Sequence, residues 1–152
     1  MDEARSRMMS AIRRSDTKPE LAVRRVIHGM GYRFRLHRRD LPGTPDIVLP
    51  KYRVAIFVHG CFWHRHQGCK KNTMPKTRVD FWQAKFAANV ARDEKCSKAL
   101  SDAGWTVLVV WECETRDLSS VEGSVRGAIA KGGLLPGAHA ADRRSIRCEA
   151  GC

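Results

Sequence analysis

Two short runs of this chain are apolar almost without a break: Val54 to Val58, V-A-I-F-V, and Trp105 to Trp111, W-T-V-L-V-V-W. A strand with one wet face alternates polar and apolar residues, so runs like these must be covered on both faces. Helical signals surround them. Thr17-Lys18-Pro19-Glu20 reads as a capping box, with the Thr17 hydroxyl taking the amide of Glu20 and the Glu20 carboxylate reaching back. Val23, Val26, Ile27 and Met30 follow at helical spacing, and Gly31 is a natural stop. Asp80 to about Ser101 reads as a long helix carrying Trp82, Phe86, Val90 and Leu100, ended by Gly104. Val121, Val125 and Ile129 mark a last helix. Tyr32 to His37, Y-R-F-R-L-H, alternates like a half-buried strand. Leu41 to Pro45 is a turn, Asp46 opens the short strand Ile47 to Leu49, and Lys51-Tyr52 turns the chain again. The order helix, strands, helix, strand, helix predicts one α/β domain around a mixed sheet.

Residues 59 to 77 are left as a long loop, and a loop of that length needs a ligand or a metal to order it. The stretch V-H-G-C-F-W-H-R-H-Q-G-C, Val58 to Cys69, supplies the means. Cys61, His66 and Cys69 form Cys-x4-His-x2-Cys, and Cys113 lies 44 residues beyond Cys69, just past a buried strand. Structural zinc takes four tetrahedral sulfur and nitrogen ligands, often a close group and a distant partner. The expectation is a Zn²⁺ clamp stapling the loop to the strand end, with Cys113 placed as fourth ligand by position. The bland alternative is unrelated thiols near a surface loop. Cys96 reads as a small core residue, and Cys148 and Cys152 are assigned nothing. His28, His37 and His139 have no case beyond surface or packing.

The six cysteines sit in a chain without an apolar leader at Met1 to Ser10, so a disulfide framework is a poor first guess. No apolar run approaches the roughly 20 residues that would cross a bilayer. Charge points to a polyanion. Lys and Arg number 28 against 16 acids, and the first 39 residues hold eleven basic and four acidic side chains. Nucleic acid is the commonest polyanion in a cell. Residues 1–15 read as a basic arm or short helix, and residues 132–152, rich in Gly, Ala and Arg, as a disordered tail.

Asp46 stands directly after Pro45, and His59 follows the strand that returns from it. A carboxylate is a hard ligand suited to Mg²⁺. An imidazole beside it activates water or protonates a leaving oxygen. His64 is the other free histidine, because His66 fits the zinc spacing. A Pro-Asp pair before a strand is also, commonly, only a turn.

At these residues the sequence resembles the PD-(D/E)xK nucleases, through Pro45-Asp46, the strand pair and the helix with Glu20. More narrowly, it is similar to the very short patch repair (Vsr) DNA mismatch endonucleases. The likeness runs through L-P-G-T-P-D-I-V, V-A-I-F-V-H-G-C-F-W-H-R-H, T-R-V-D-F-W with Asn89 and Arg92-Asp93, and G-W-T-V-L-V-V-W-E-C, from about Ser6 to Cys113. The resemblance implies a restriction-endonuclease-like domain over residues 1–131, with residues 1–15 as a DNA-contacting arm. It implies Mg²⁺-dependent nicking of one strand 5′ of the thymine in a T:G mismatch left by 5-methylcytosine deamination. Asp46 would bind magnesium with the Val58 backbone carbonyl, His59 and His64 would serve hydrolysis, and Glu20 would support them. Zinc would fall to Cys61, His66, Cys69 and Cys113. Phe57-Val58-His59 stands where the wider superfamily has Glu-x-Lys, so imidazole replaces ammonium. Val58 replaces a family threonine, and Gln67-Gly68 makes the gap from His66 to Cys69 one residue longer.

Phe62-Trp63 reads either as a small core around the metal or as a wedge that enters a base step. The resemblance implies the wedge, with Phe62, Trp63 and Trp82 intercalating, Met9 entering from the arm, and Lys85 and Asn89 reading the wobble pair. Trp82 in the core is the competing reading; Trp105 and Trp111 read as strand packing. Double-stranded DNA is the expected partner, mismatch-repair proteins are candidate ones, and a monomer in a prokaryotic cytoplasm, at the nucleoid, is expected. Two rivals stay open: a zinc-stabilised DNA-binding module without catalysis, and a restriction-type endonuclease of the same core.

Overall fold

The computed structural model describes residues 16–132. The proposed arm with Met9 and the tail lie outside them. Helix α1 (Lys18–Gly29) begins at Thr17, whose hydroxyl accepts from the Glu20 amide at 3.4 Å. The Glu20 carboxylate does reach back, but one residue further than a capping box requires, to the Asp16 amide at 3.0 Å. The helix ends in a Schellman turn: Gly31 donates to the His28 carbonyl and Tyr32 to that of Ile27, with Gly31 at φ +84°.

Four strands follow in spatial order: β1 (Arg35–Leu36), β2 (Ile47–Leu49), β3 (Val54–His59) and β4 (Thr106–Trp111). The first two junctions are antiparallel and the β3–β4 junction is parallel, so the sheet is mixed as expected. A parallel pair needs a long crossover. Here it is the loop after His59 plus helix α2 (Val79–Asp102), which ends in a second Schellman turn through Gly104 and Trp105. A 3-10 turn (Glu112–Arg116) and helix α3 (Leu118–Gly132) complete the order.

The sheet is covered on both faces. Ile47, Leu49, Val54, Ile56 and Val110 pack under α1 and α3 with Val23, Ile27, Val121 and Val125. Val48, Ala55 and Phe57 turn to the other face, where Leu41, Leu100 and Trp105 close over them. The β3 run is therefore apolar throughout because each of its two faces meets a helical layer. No helix among the described residues is long and apolar enough to cross a membrane.

The strand expected over 32–37 is reduced to two residues, both exposed. Tyr32 and Phe34 do turn inward onto the core under α1. At His37, however, the backbone enters the left-handed region, φ 48°, and the pairing stops while its amide still holds the Asp46 carbonyl at 3.1 Å.

Candidate active site

Side chains alternate along a strand, so parity decides what can meet. His59 continues the row of Ala55 and Phe57, and Trp111 that of Val107 and Val109, on the face toward α2. Asp46 precedes β2 on the row of Val48. All three side chains thus belong to one face, at the end of the sheet where β2 begins and β3 and β4 finish. There an open cleft of about 1690 Å³ is lined by Glu20, Asp46, His59, Trp63, His64, Lys85 and Asp93 among others.

The turn that delivers Asp46 is tight. Thr44 donates to the Leu41 carbonyl at 3.1 Å, and Gly43 sits at φ +74°. A Cβ on Gly43 would lie 2.9 Å from the Cβ of Cys96, so only glycine lets this turn rest against α2. Asp46 Oδ2 accepts from the Val58 amide at 2.8 Å. Burial raises its carboxyl to about 6, and the charge of Glu20 adds to that; the Val58 amide and the nearby His37 and His64 oppose it. Val58 places its side chain in the core under α1 and α3, where a valine is at home.

His59 is 8% exposed. Burial lowers its imidazole to about 4, reinforced by His64, so it is neutral at pH 7. His64 lies flat against it, with ring centroids 3.9 Å apart and planes within 6°. His64 Nδ1 meets Asp93 Oδ2 at 2.6 Å. A carboxylate only accepts, so Nδ1 carries the proton and Nε2 is left to face the cleft.

Glu20 is 3% exposed and stands apart from the histidine pair. Its Oε2 accepts from Arg24 at 3.3 Å, and the same Arg24 nitrogen meets Asp16 at 2.6 Å and His37 Nε2 at 3.1 Å. A guanidinium only donates, so His37 accepts there. The partners of the Glu20 carboxylate are the Asp16 amide and Arg24, and it reaches Asp46 through charge.

The ligand atoms of Cys61, His66, Cys69 and Cys113 all lie within 4.8 Å of one another. His66 donates its amide to the Cys61 carbonyl and Cys69 to that of His66, and the chain turns at Gly68, φ +74°. Burial pushes the Cys61 thiol up to about 12, whereas the Lys71 amide lowers that of Cys69. Three sulfurs and one imidazole are a donor set that can hold a soft divalent ion.

Phe62, Trp63, Trp82 and Phe86 form one cluster of edge-to-face and tilted contacts, with centroid separations of 5.1 to 5.8 Å. Phe86 is buried; Phe62, Trp63 and Trp82 are half-buried; Phe81 is 45% exposed at the margin. Lys85 Nζ lies 5.5 Å from the Trp63 ring centroid, and Asn89 donates to the Trp63 carbonyl at 3.2 Å.

Sequence reasoning missed Asp93, Arg24, His37 and Trp111. A signal for Asp93 existed. Trp82, Phe86, Asn89, Asp93, Cys96 and Leu100 repeat at alternating spacings of four and three, which is one helix face. Two polar residues on such a face mark a place where the core gives way to a site. Val90 belongs to the flank instead. Trp111 was taken only as packing, yet its ring stacks on His66 and meets His59 edge-on.

A carboxylate, a carboxylate-oriented imidazole and an open cleft at a parallel strand end are the groups that the site of a hydrolytic enzyme uses. The family model of the DNA mismatch endonuclease Vsr matches residues 1–71. The type II nicking enzyme V.XorIIP of Xanthomonas oryzae pv. oryzae is 52% identical over 127 residues, 84% of this chain and 93% of that one. The DNA mismatch endonuclease Vsr of Escherichia coli K12 is 45% identical over 112 residues, 74% and 71% of the two chains. The type II nicking enzyme V.NmeAIP of Neisseria meningitidis is 43% identical over 113 residues, 74% and 80%. The chain belongs to the Vsr family of DNA mismatch endonucleases.

Proposed function

We propose that this endonuclease nicks one strand of duplex DNA 5′ of the thymine in a T:G mismatch, as the first step of very short patch repair. The observation that carries the reading is the meeting of Asp46, His59 and His64 at one cleft beside the aromatic cluster. Mg²⁺ fits the Asp46 carboxylate together with the Val58 carbonyl oxygen, and when bound supplies charge stabilisation for the phosphate. His64, held by Asp93, takes a proton from water as the water oxygen forms its bond to phosphorus and the backbone P–O bond breaks, and the departing oxygen is protonated from solvent. His59, neutral at pH 7, keeps the His64 ring in plane. Glu20, with Arg24 and His37, fixes the electrostatic surroundings of Asp46. Zn²⁺ is the ion that best suits Cys61, His66, Cys69 and Cys113, where it would tie the loop to β4.

Phe62, Trp63 and Trp82 are the wedge. Opening a mismatched step costs less than opening a paired one, so a wedge favours the damaged site. Lys85 and Asn89, one helical turn apart beside Trp63, read the exposed edges, and Met9 enters from the arm 1–15. One asymmetric mismatch requires a single chain, acting at the nucleoid; mismatch-repair proteins are candidate recruiters.

The test is incubation with Mg²⁺ and duplexes that differ only by T:G or C:G at one site, labelled on either strand. A nick confined to the thymine strand is expected. Binding without cleavage would leave a zinc-stabilised DNA-binding module, and cleavage of both strands of the C:G duplex a restriction-type enzyme.

A further inference from the structure

His59 and Trp111 are register partners at the ends of the parallel strands β3 and β4. Their rings meet edge to face, with centroids 5.3 Å apart. The indole also stacks against His66, 4.2 Å between centroids and 9° between planes. His66 in turn stands 3.4 Å from the Cys113 sulfur within the four-ligand cluster. His59 stacks on His64, and His64 is tied to Asp93. A continuous file of rings therefore runs from the sulfur cluster to the cleft, and Trp111 is the one ring in it that neither offers a candidate metal ligand nor titrates.

We propose that Trp111 is a positioning residue for hydrolysis: its indole transmits the rigidity of the sulfur–imidazole cluster to His59, and through it to His64. The proposal rests on the reading that His59 and His64 serve hydrolysis. The physical reason is that a ring held by a stacking partner can still slide or swing sideways unless its edge also meets a wall. His59 stacks on His64 and has the Phe57 ring 5.8 Å away at a tilt of 50°. Trp111 supplies the lateral wall. That wall is itself fixed, because the Trp111 amide donates to Glu114 at 3.2 Å and His66 stacks on the indole. Misplacing a reacting group by about 1 Å costs on the order of 10²-fold in rate.

The experiment uses the full chain as wild type, Trp111→Phe, Trp111→Leu and His59→Ala. Four quantities are read: kcat and KM on the labelled T:G duplex, zinc content per chain, thermal midpoint, and the imidazole proton resonances of His59 and His64. For Trp111→Leu the expected result is a fall in kcat of about tenfold or more, KM within about twofold, zinc retained, and both resonances displaced and broadened. Trp111→Phe, which keeps an aromatic wall, recovers most of the rate. The inference is overturned if Trp111→Leu cuts at the wild-type rate while His59→Ala is inactive. It is also overturned if the lost rate tracks lost zinc or a collapsed thermal midpoint in both Trp111 variants. A His59→Ala protein that still nicks normally removes the hydrolytic reading, and this inference with it.

Discussion

Asp46 and His59 face one cleft with titrations displaced in opposite directions, and their effects on stability oppose each other. Asp46 is raised from 3.8 to about 6. The stability it contributes is full below pH 3.8 and is lost as pH rises through 6. His59 is lowered from 6.5 to about 4, so its contribution is full above pH 6.5 and is lost as pH falls through 4. Between pH 4 and 6 the two nearly cancel, and the wild-type thermal midpoint should be flat there without added Mg²⁺. Each single substitution should unmask the other group. Asp46→Asn should give a midpoint that climbs from pH 4 to 6.5, and His59→Gln one that declines from pH 4 to 6. Each trend should be worth roughly 3 kcal/mol, measured by thermal denaturation. Parallel curves for all three proteins would show that these groups are not displaced. The same carboxylate carries the sharpest functional test: Asp46→Ala should abolish nicking and leave duplex binding within about threefold, since a single hard ligand is lost and no DNA contact with it.

At the scale of elements, the turn from Leu41 to Pro45 decides whether Asp46 arrives at the cleft. Gly43→Ala places a Cβ 2.9 Å from Cys96 Cβ at a φ of +74°, and either the turn or α2 must give way. We expect a loss of about 1–3 kcal/mol in urea denaturation together with reduced kcat. Gly29→Ala is the internal control: it closes α1 with no atom within 4 Å of the added carbon, and it should cost nothing or stabilise slightly. Equal losses in both would sink the argument. The elements differ in how plainly the sequence displayed them. Val54 to Val58 could be read as a central strand because burial on both faces leaves no polar residue in the run. The two Schellman turns were legible from Gly31 and Gly104. The stretch 32–37 was misleading because alternation reports which residues could turn inward, not whether a neighbour strand is long enough to pair. β2 offers only three residues, and His37 turns away toward Arg24. Of the candidate site, the cysteines, His59, His64 and Asp46 were visible as residue types that no core requires. Asp93 and Trp111 were not, because their significance depends on a helix crossing back over the sheet and on two strand ends lying in register.

For the molecule as a whole, the balance of 28 basic against 16 acidic residues separates two parts of recognition that respond differently to salt. The cleft itself is mixed in sign: Lys18, Lys71, Lys85, Arg92 and Arg116 share its lining with Asp16, Glu20, Asp46, Asp93 and Glu112. The excess positive charge therefore lies largely outside it, suited to phosphates along the duplex rather than to the scissile one. Phosphate contacts release counterions, and a protein making several of them loses about 10³–10⁵-fold in affinity between 50 and 200 mM salt. Base reading and wedge insertion release few. The apparent Kd for any duplex should thus climb steeply with salt, whereas the ratio of Kd for C:G over T:G duplexes should hold within about threefold. At saturating DNA the nicking rate should barely move. Removing the wedge by Trp63→Ala should do the reverse, collapsing the T:G preference while leaving the salt slope unchanged. Titrations at four salt concentrations with both duplexes and both proteins decide this. A preference that decays with salt as fast as the affinity would place mismatch discrimination in the basic surface, and the aromatic cluster would return to being packing around the cysteines.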